Sequence, residues 1–68
     1  MSVARITEIS STSSKSFEDA VAQGIARAAK TLHGIKSAWI KEQHVDVNND
    51  AVTGYRVNML VTFVLDEP

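Results

Sequence analysis

The stretch VTGYRVNMLVTFVL, residues 52–65, decides the fold. Tyr55, Val57, Met59, Val61, Phe63 and Leu65 recur at every second position, with Arg56, Asn58, Leu60, Thr62 and Val64 between them. Successive side chains of an extended chain point to opposite sides of a sheet, so this pattern is a strand with one wholly apolar face. Its other face is mixed rather than polar. That second face, with Leu60 and Val64 on it, is where the functional reading begins.

Working outward, Asn48-Asn49-Asp50-Ala51 is a polar group suited to a hairpin loop. Residues 35–47 before it form another extended run. Ala38 and Ile40 lie on even positions of that run and Val45 and Val47 on odd ones, so its apolar side changes hands between Lys41 and His44. A twist, a bulge, or different partners at the two ends of the strand would each do this.

Further upstream the period changes. Phe17, Ala20, Val21, Ile25, Ala28 and Leu32 fall at three- and four-residue steps, which is the stripe of an amphipathic helix, and Glu18, Gln23, Arg27 and Lys30 lie off it. Ser16 offers a hydroxyl cap, and Glu18 and Asp19 face the positive end of the helix dipole. His33 suits the negative end, and Gly34 sits where a left-handed residue usually closes a helix, so the spacing predicts a helix over residues 17–33. Residues 10–16, SSTSSKS, carry hydroxyls that compete for backbone hydrogen bonds and read as a loop. Residues 3–9, with Val3, Ile6, Thr7 and Ile9 beside Arg5 and Glu8, read as a short strand with one wet side.

The order strand, helix, strand, strand is an α+β arrangement: one domain over residues 1–68, with a three-stranded antiparallel sheet wrapped on one helix. The last strand belongs in the centre, which also allows the right-handed crossover that chain chirality favours. A 68-residue chain builds one small core, and such domains usually need disulfides, a metal or partner subunits. Cys is absent, and no set of His and acidic residues offers a convincing zinc or calcium cage, which leaves self-association. A single helix covers one side of a sheet, yet Leu60, Val64, Ile40 and Trp39 cannot all lie beneath it. Copies of the chain are expected to cover one another.

The net charge of −1 with interspersed signs provides no basic stripe for nucleic acid. No apolar run approaches a membrane span, and residues 1–16 lack the basic start and apolar core of a signal peptide, so the expected compartment is the cytoplasm. Catalysis is not expected. There is no Cys nucleophile, no G-x-S-x-G elbow and no phosphate-cradling glycine loop, the three glycines Gly24, Gly34 and Gly54 being scattered.

Binding has more to work with. Trp39 is the sole Trp, in Ser37-Ala38-Trp39-Ile40-Lys41-Glu42-Gln43. A large aromatic plane among hydrogen-bonding neighbours is what a planar heteroaromatic ligand needs, and it is equally what a subunit interface uses. Arg56 is placed to pair with Glu42 or Asp46 across the hairpin, or to grip a ligand phosphate or carbonyl. Asp46, Asn48 and Asp50 have the spacing that opens a calcium loop, but Ala51 replaces the turn glycine and Val57 stands where the closing acid belongs, so they read as a turn. His33 and His44 are accounted for as a helix-end and a strand-surface His.

Taken together, the strand at residues 3–9, the Ser/Thr segment, the helix carrying Ala28-Ala29-Lys30-Thr31-Leu32, and the ending Tyr55-Arg56-Val57 through Val61-Thr62-Phe63-Val64-Leu65 resemble the dodecin family. The resemblance implies a β-α-β-β subunit in a hollow, cubic-symmetry homododecamer. Such shells store or sequester flavins such as riboflavin or FMN, stacking ring pairs between tryptophans of neighbouring subunits, and some hold coenzyme A. Carried over by position, the stacking Trp falls at Ser37, with Trp39 two residues on along the same face. The ring-contacting glutamine falls at Arg56, beside a matching Tyr55, and the acid near the sugar chain falls at Glu42. The expected cofactor site is therefore Trp39, Ser37, Arg56, Glu42 and Gln43. The alternative is a dodecin-like shell that binds calcium or another small ligand in place of flavin, or is purely structural.

Overall fold

In a computed structural model the chain is described over residues 3–65; Met1, Ser2 and residues 66–68, which the expected domain includes, lie outside the described residues. The elements are β1 (Ala4–Ser13), α1 (Phe17–Ala28), β2 (Ile35–Asn48) and β3 (Ala51–Val64). They form a three-stranded antiparallel sheet in the order β1-β3-β2, so the alternating C-terminal strand is central as its pattern implies.

The core lies where β3 meets the helix. Val57, Met59 and Val61 are fully buried with Ala20 of α1, and Ile9, Phe17, Val21, Ile25, Ile35 and Ala38 pack around them. Phe17 meets the Tyr55 ring edge to face, with centroids 5.2 Å apart. Gly24 brings the helix down onto the sheet, since a methyl at that position would stand 2.7 Å from Met59 Cε and 2.9 Å from Ser11 Cβ. The helix packs on β1 and β3 and scarcely reaches β2. Ile40 and Val45, which pair with Met59 and Tyr55 on the helix-bearing side, consequently stay 41% and 38% exposed.

The hairpin turns through Asn49 and Asp50 with φ of +53° and +61°. Two left-handed residues in succession give the tight turn whose twist matches that of the strands it joins, and Asn and Asp tolerate it better than most residues. The long hairpin makes the molecule 53 Å in its longest dimension, with a radius of gyration of 14.0 Å. A compact chain of this length would have a radius of about 11 Å.

Two boundaries differ clearly from the sequence expectation. β1 continues through Ser13, taking in half of the Ser/Thr segment, because Asn58, Val57, Arg56 and Tyr55 of β3 stand opposite Ser10, Ser11, Thr12 and Ser13. A ready-made partner strand outcompetes the local hydroxyl bonds that favour a loop. The helix stops at Ala28, five residues before the expected end, and the chain unwinds through tighter bonds: Lys30 N–H to Arg27 O and Thr31 N–H to Ala28 O. It must turn back here, because Gly34, at φ +79°, presents its carbonyl to Val64 N–H at the sheet end. His33 therefore lies outside the helix, and Arg27 is the cation in its last turn. The start is as expected: Ser16 Oγ accepts from Asp19 N–H at 2.9 Å.

Candidate ligand-binding site

The face of the sheet turned away from the helix is built by β2 and β3, and a bulge decides which residues share it. The register slips between Ile40 and Glu42, leaving Lys41 as the extra residue. Simple alternation would put Trp39 and Glu42 on opposite sides, whereas the bulge resets the count and brings them to one. The result is a row of facing pairs on the helix-free side: Ser37 with Thr62, Trp39 with Leu60, Glu42 with Asn58, His44 with Arg56 and Asp46 with Gly54.

Trp39 is 61% exposed, which leaves its indole plane open to a partner. Beyond it the face becomes polar and interlocked. Asn58 Nδ2 donates to Glu42 Oε1 at 2.8 Å. The Asp46 carboxylate holds two neighbours, His44 Nε2 at 3.1 Å from Oδ1 and Arg56 Nη2 at 3.5 Å from Oδ2. It lies over Gly54, where a methyl would come 3.1 Å from Oδ2. Lys41 Nζ reaches across the central strand to Glu8 at 3.3 Å. A depression of about 370 Å³ is lined by Glu42, Gln43, His44, Arg56 and Asn58. Further toward the other end, Thr62 Oγ1 is closed off from water without a hydrogen-bond partner, opposite Ser37.

Of the five expected site residues, Ser37, Trp39, Glu42 and Arg56 share this face. Gln43 pairs with Val57 of the covered side and contributes only to the margin of the depression. Arg56 pairs with Asp46, one of its two anticipated partners; Glu42, the other, is held by Asn58. His44 and Asn58 join the site without being singled out for it by sequence. Counting back from the Asn49-Asp50 turn would have set Gln43 opposite Arg56 and Lys41 opposite Asn58; a second register shift, between Asp46 and Val47, moves the pairing by one and brings His44 opposite Arg56 and Asn58 opposite Glu42. A separate groove of about 530 Å³ runs between β1 and α1, lined by Thr7, Ile9, Ser11, Gln23, Gly24 and Arg27 among others, and holds none of the expected residues. Among the described residues no three His, Asp or Glu side chains converge as a metal-binding group, and no helix is long and apolar enough to cross a membrane.

The strand order, the helix seated on one face and the bare second face recur in known proteins. A family model described as Dodecin matches residues 3–66. The chain belongs to the dodecin family. It is similar to dodecin from Streptomyces davaonensis, with a TM-score of 0.92 and 33% identity covering 97% of each chain. Its similarity to an arginine-to-alanine variant of Thermus thermophilus dodecin gives the same TM-score at 31% identity, covering 98% of this chain and 100% of that one. Among curated relatives, the calcium dodecin of Mycobacterium tuberculosis is 33% identical over 63 residues, 93% of this chain and 89% of the relative. The solved structure of that calcium-chelating dodecin, described as having a novel calcium-binding site, matches with a TM-score of 0.81. The family resemblance read from the strand and helix patterns is thereby borne out, and so is the β-α-β-β fold.

Proposed function

We propose that this dodecin is a non-catalytic, one-domain cytoplasmic subunit of a closed homo-oligomer, a dodecamer, that binds riboflavin or FMN on its helix-free sheet face. The observation that carries this reading is the open indole of Trp39 beside a polar depression, on a surface that none of the described elements covers. An isoalloxazine ring needs a flat apolar partner and a few hydrogen-bonding groups at its edge. Trp39 supplies the plane, Arg56 is the candidate for ring oxygens, Glu42 is the candidate for the hydroxylated side chain, and Gln43 is left at the margin. Ser37, where the family pattern expects the stacking Trp, leaves room for the ring to settle against Trp39 instead. Apolar side chains left bare on both sheet faces, Ile6 and Ile40 among them, support assembly as the way the surface is covered.

Titration with riboflavin and FMN tests this. Flavin fluorescence should be quenched on mixing, and Trp39→Ala should weaken binding by about tenfold, the worth of one aromatic stack. Absence of quenching, or sedimentation as a stable monomer at micromolar concentration, would defeat the proposal. A second reading, a shell that takes calcium in place of flavin, draws support from the 33%-identical relative named calcium dodecin. A colourless protein whose mass or stability changes on chelation would favour it.

A further inference from the structure

The helix-bearing side of the sheet carries two uncovered apolar surfaces, one on the hairpin arm and one at the edge formed by β1. On the arm, cover ends at Phe17, the first residue of α1, whose ring meets Tyr55. Val45 faces Tyr55, and Val47, two residues further along β2, shares its side and stands opposite Val52. The slip between Asp46 and Val47 makes Thr53 of β3 the extra residue, so alternation along β2 is kept. Val47 and Val52 are 60% and 48% exposed. Three β-branched side chains thus stand bare in a patch roughly 7 Å long, the span of two strand residues.

At the other edge lies the groove of about 530 Å³ between β1 and α1. Ile9, Ala28 and Leu32 give it an apolar lining, and Gln23 and Arg27 stand exposed along its helical wall. It opens beside the unpaired edge of β1 and follows that strand from Thr7 to Ser11, roughly 13 Å, which is room enough for the arm's patch. Charge matches as well as length. Asp50 sits in the turn at the arm's tip and Arg27 on the groove, and neither has an ion-pair partner among the described residues. One chain cannot bring the two together, because both surfaces belong to one side of one sheet and face the same way. A second copy, turned over, can.

Resting on the homo-oligomer reading above, we propose that the arm of one copy seats Val45, Val47 and Val52 in the β1–α1 groove of the next and brings Asp50 to the Arg27 there. The occupant is another copy because every subunit carries both halves in equal number, whereas a foreign chain in the groove would leave the arm bare. Patch and groove are different surfaces, so the contact is head to tail: each copy gives an arm and receives one. Such a contact closes into a ring, unlike a two-fold contact, which ends at a pair.

The test is native mass spectrometry at micromolar subunit concentration, with folding checked by circular dichroism. Wild type should assemble beyond a pair. Val47→Asp, and independently Val52→Asp, put a charge on the arm's patch and should stall at a smaller species. Gln23→Trp and Thr7→Trp fill the groove and should stall likewise. An arm variant keeps a sound groove and a groove variant a sound arm, so their mixture should reach a species larger than either forms alone. Arg27→Glu should raise the concentration for half-assembly by about two- to fivefold, the range of an exposed ion pair. Asp50→Asn, which keeps a residue tolerant of the left-handed turn, should recover part of that loss in the Arg27→Glu background. Full-mass assembly by both arm variants, a mixture no larger than its components, or a wild type that stops at a pair overturns the head-to-tail contact. Flavin quenching by wild type is scored separately. A monomeric wild type removes the oligomer reading and this inference together.

Discussion

Met59 and Leu60 are adjacent in sequence and opposite in circumstance. Met59 is sealed beneath α1 among Val57, Val61 and Ala20, while Leu60 lies on the bare side with a mostly exposed Trp39 facing it. The same strand thus has one side committed to folding and one available for recognition, and each should answer to different substitutions. The largest contrast is expected from truncation. Met59→Ala should cost about 2–5 kcal/mol in urea unfolding, the usual toll of emptying a packed core site. Leu60→Ala should cost the fold much less and show itself in sedimentation as weakened assembly. Equal losses of fold stability from the two, with subunits kept dissociated, would break the comparison.

Two glycines sharpen it further. Gly24→Ala forces a methyl against Met59 Cε and against Ser11 Cβ, a side-chain atom fixed by its bond to the β1 backbone, and overpacking of about 1–3 kcal/mol should outweigh the helix propensity gained, at most about 1 kcal/mol. Gly54→Ala on the open side meets only the Asp46 carboxylate, the end of a movable side chain. It should alter stability by less than about 0.5 kcal/mol, as surface changes usually do. Thermal unfolding of the two variants side by side checks this.

The smallest expected effect concerns acid. Asp19 is held below the ordinary carboxylate range, chiefly because Ser13 Oγ donates to it at 2.6 Å, with Gln23 and Lys15 adding to the effect against the cost of desolvation. A carboxyl depressed by folding lends stability above its unfolded value, near pH 4, and surrenders it as pH falls through the folded value. Asp19→Asn should therefore flatten the acid side of a stability-against-pH curve, with little change in its shape above about pH 5.

What could be read from residues alone followed the strength of the local pattern. The central strand was legible because alternation over Tyr55 to Leu65 leaves no other periodic reading, and Ser16 because a hydroxyl before Phe17-Glu18-Asp19 is a sharp local signal. The extension of β1 was not, since Ser10 and Thr12 become strand through pairing with residues more than forty positions away. The early helix end was hidden too. Leu32 keeps the helical spacing, is half-buried and still donates its N–H to Ala28 O at 2.8 Å, so its position copies a helical step although the helix has ended. At the site, Trp39 and Arg56 were legible by type. That Trp39 and Glu42 share a face follows from the Lys41 bulge, which the parity change over Ala38, Ile40, Val45 and Val47 marked without saying which residue was extra.

The hairpin reaches well past the region the helix protects, and in an assembly of the proposed kind that length has a kinetic meaning. A subunit with so long an arm would leave several neighbours at once rather than one at a time. Exchange of subunits between finished shells would then be slow even where each individual contact is weak, and a ligand enclosed between arms would escape on the timescale of local fraying rather than of disassembly.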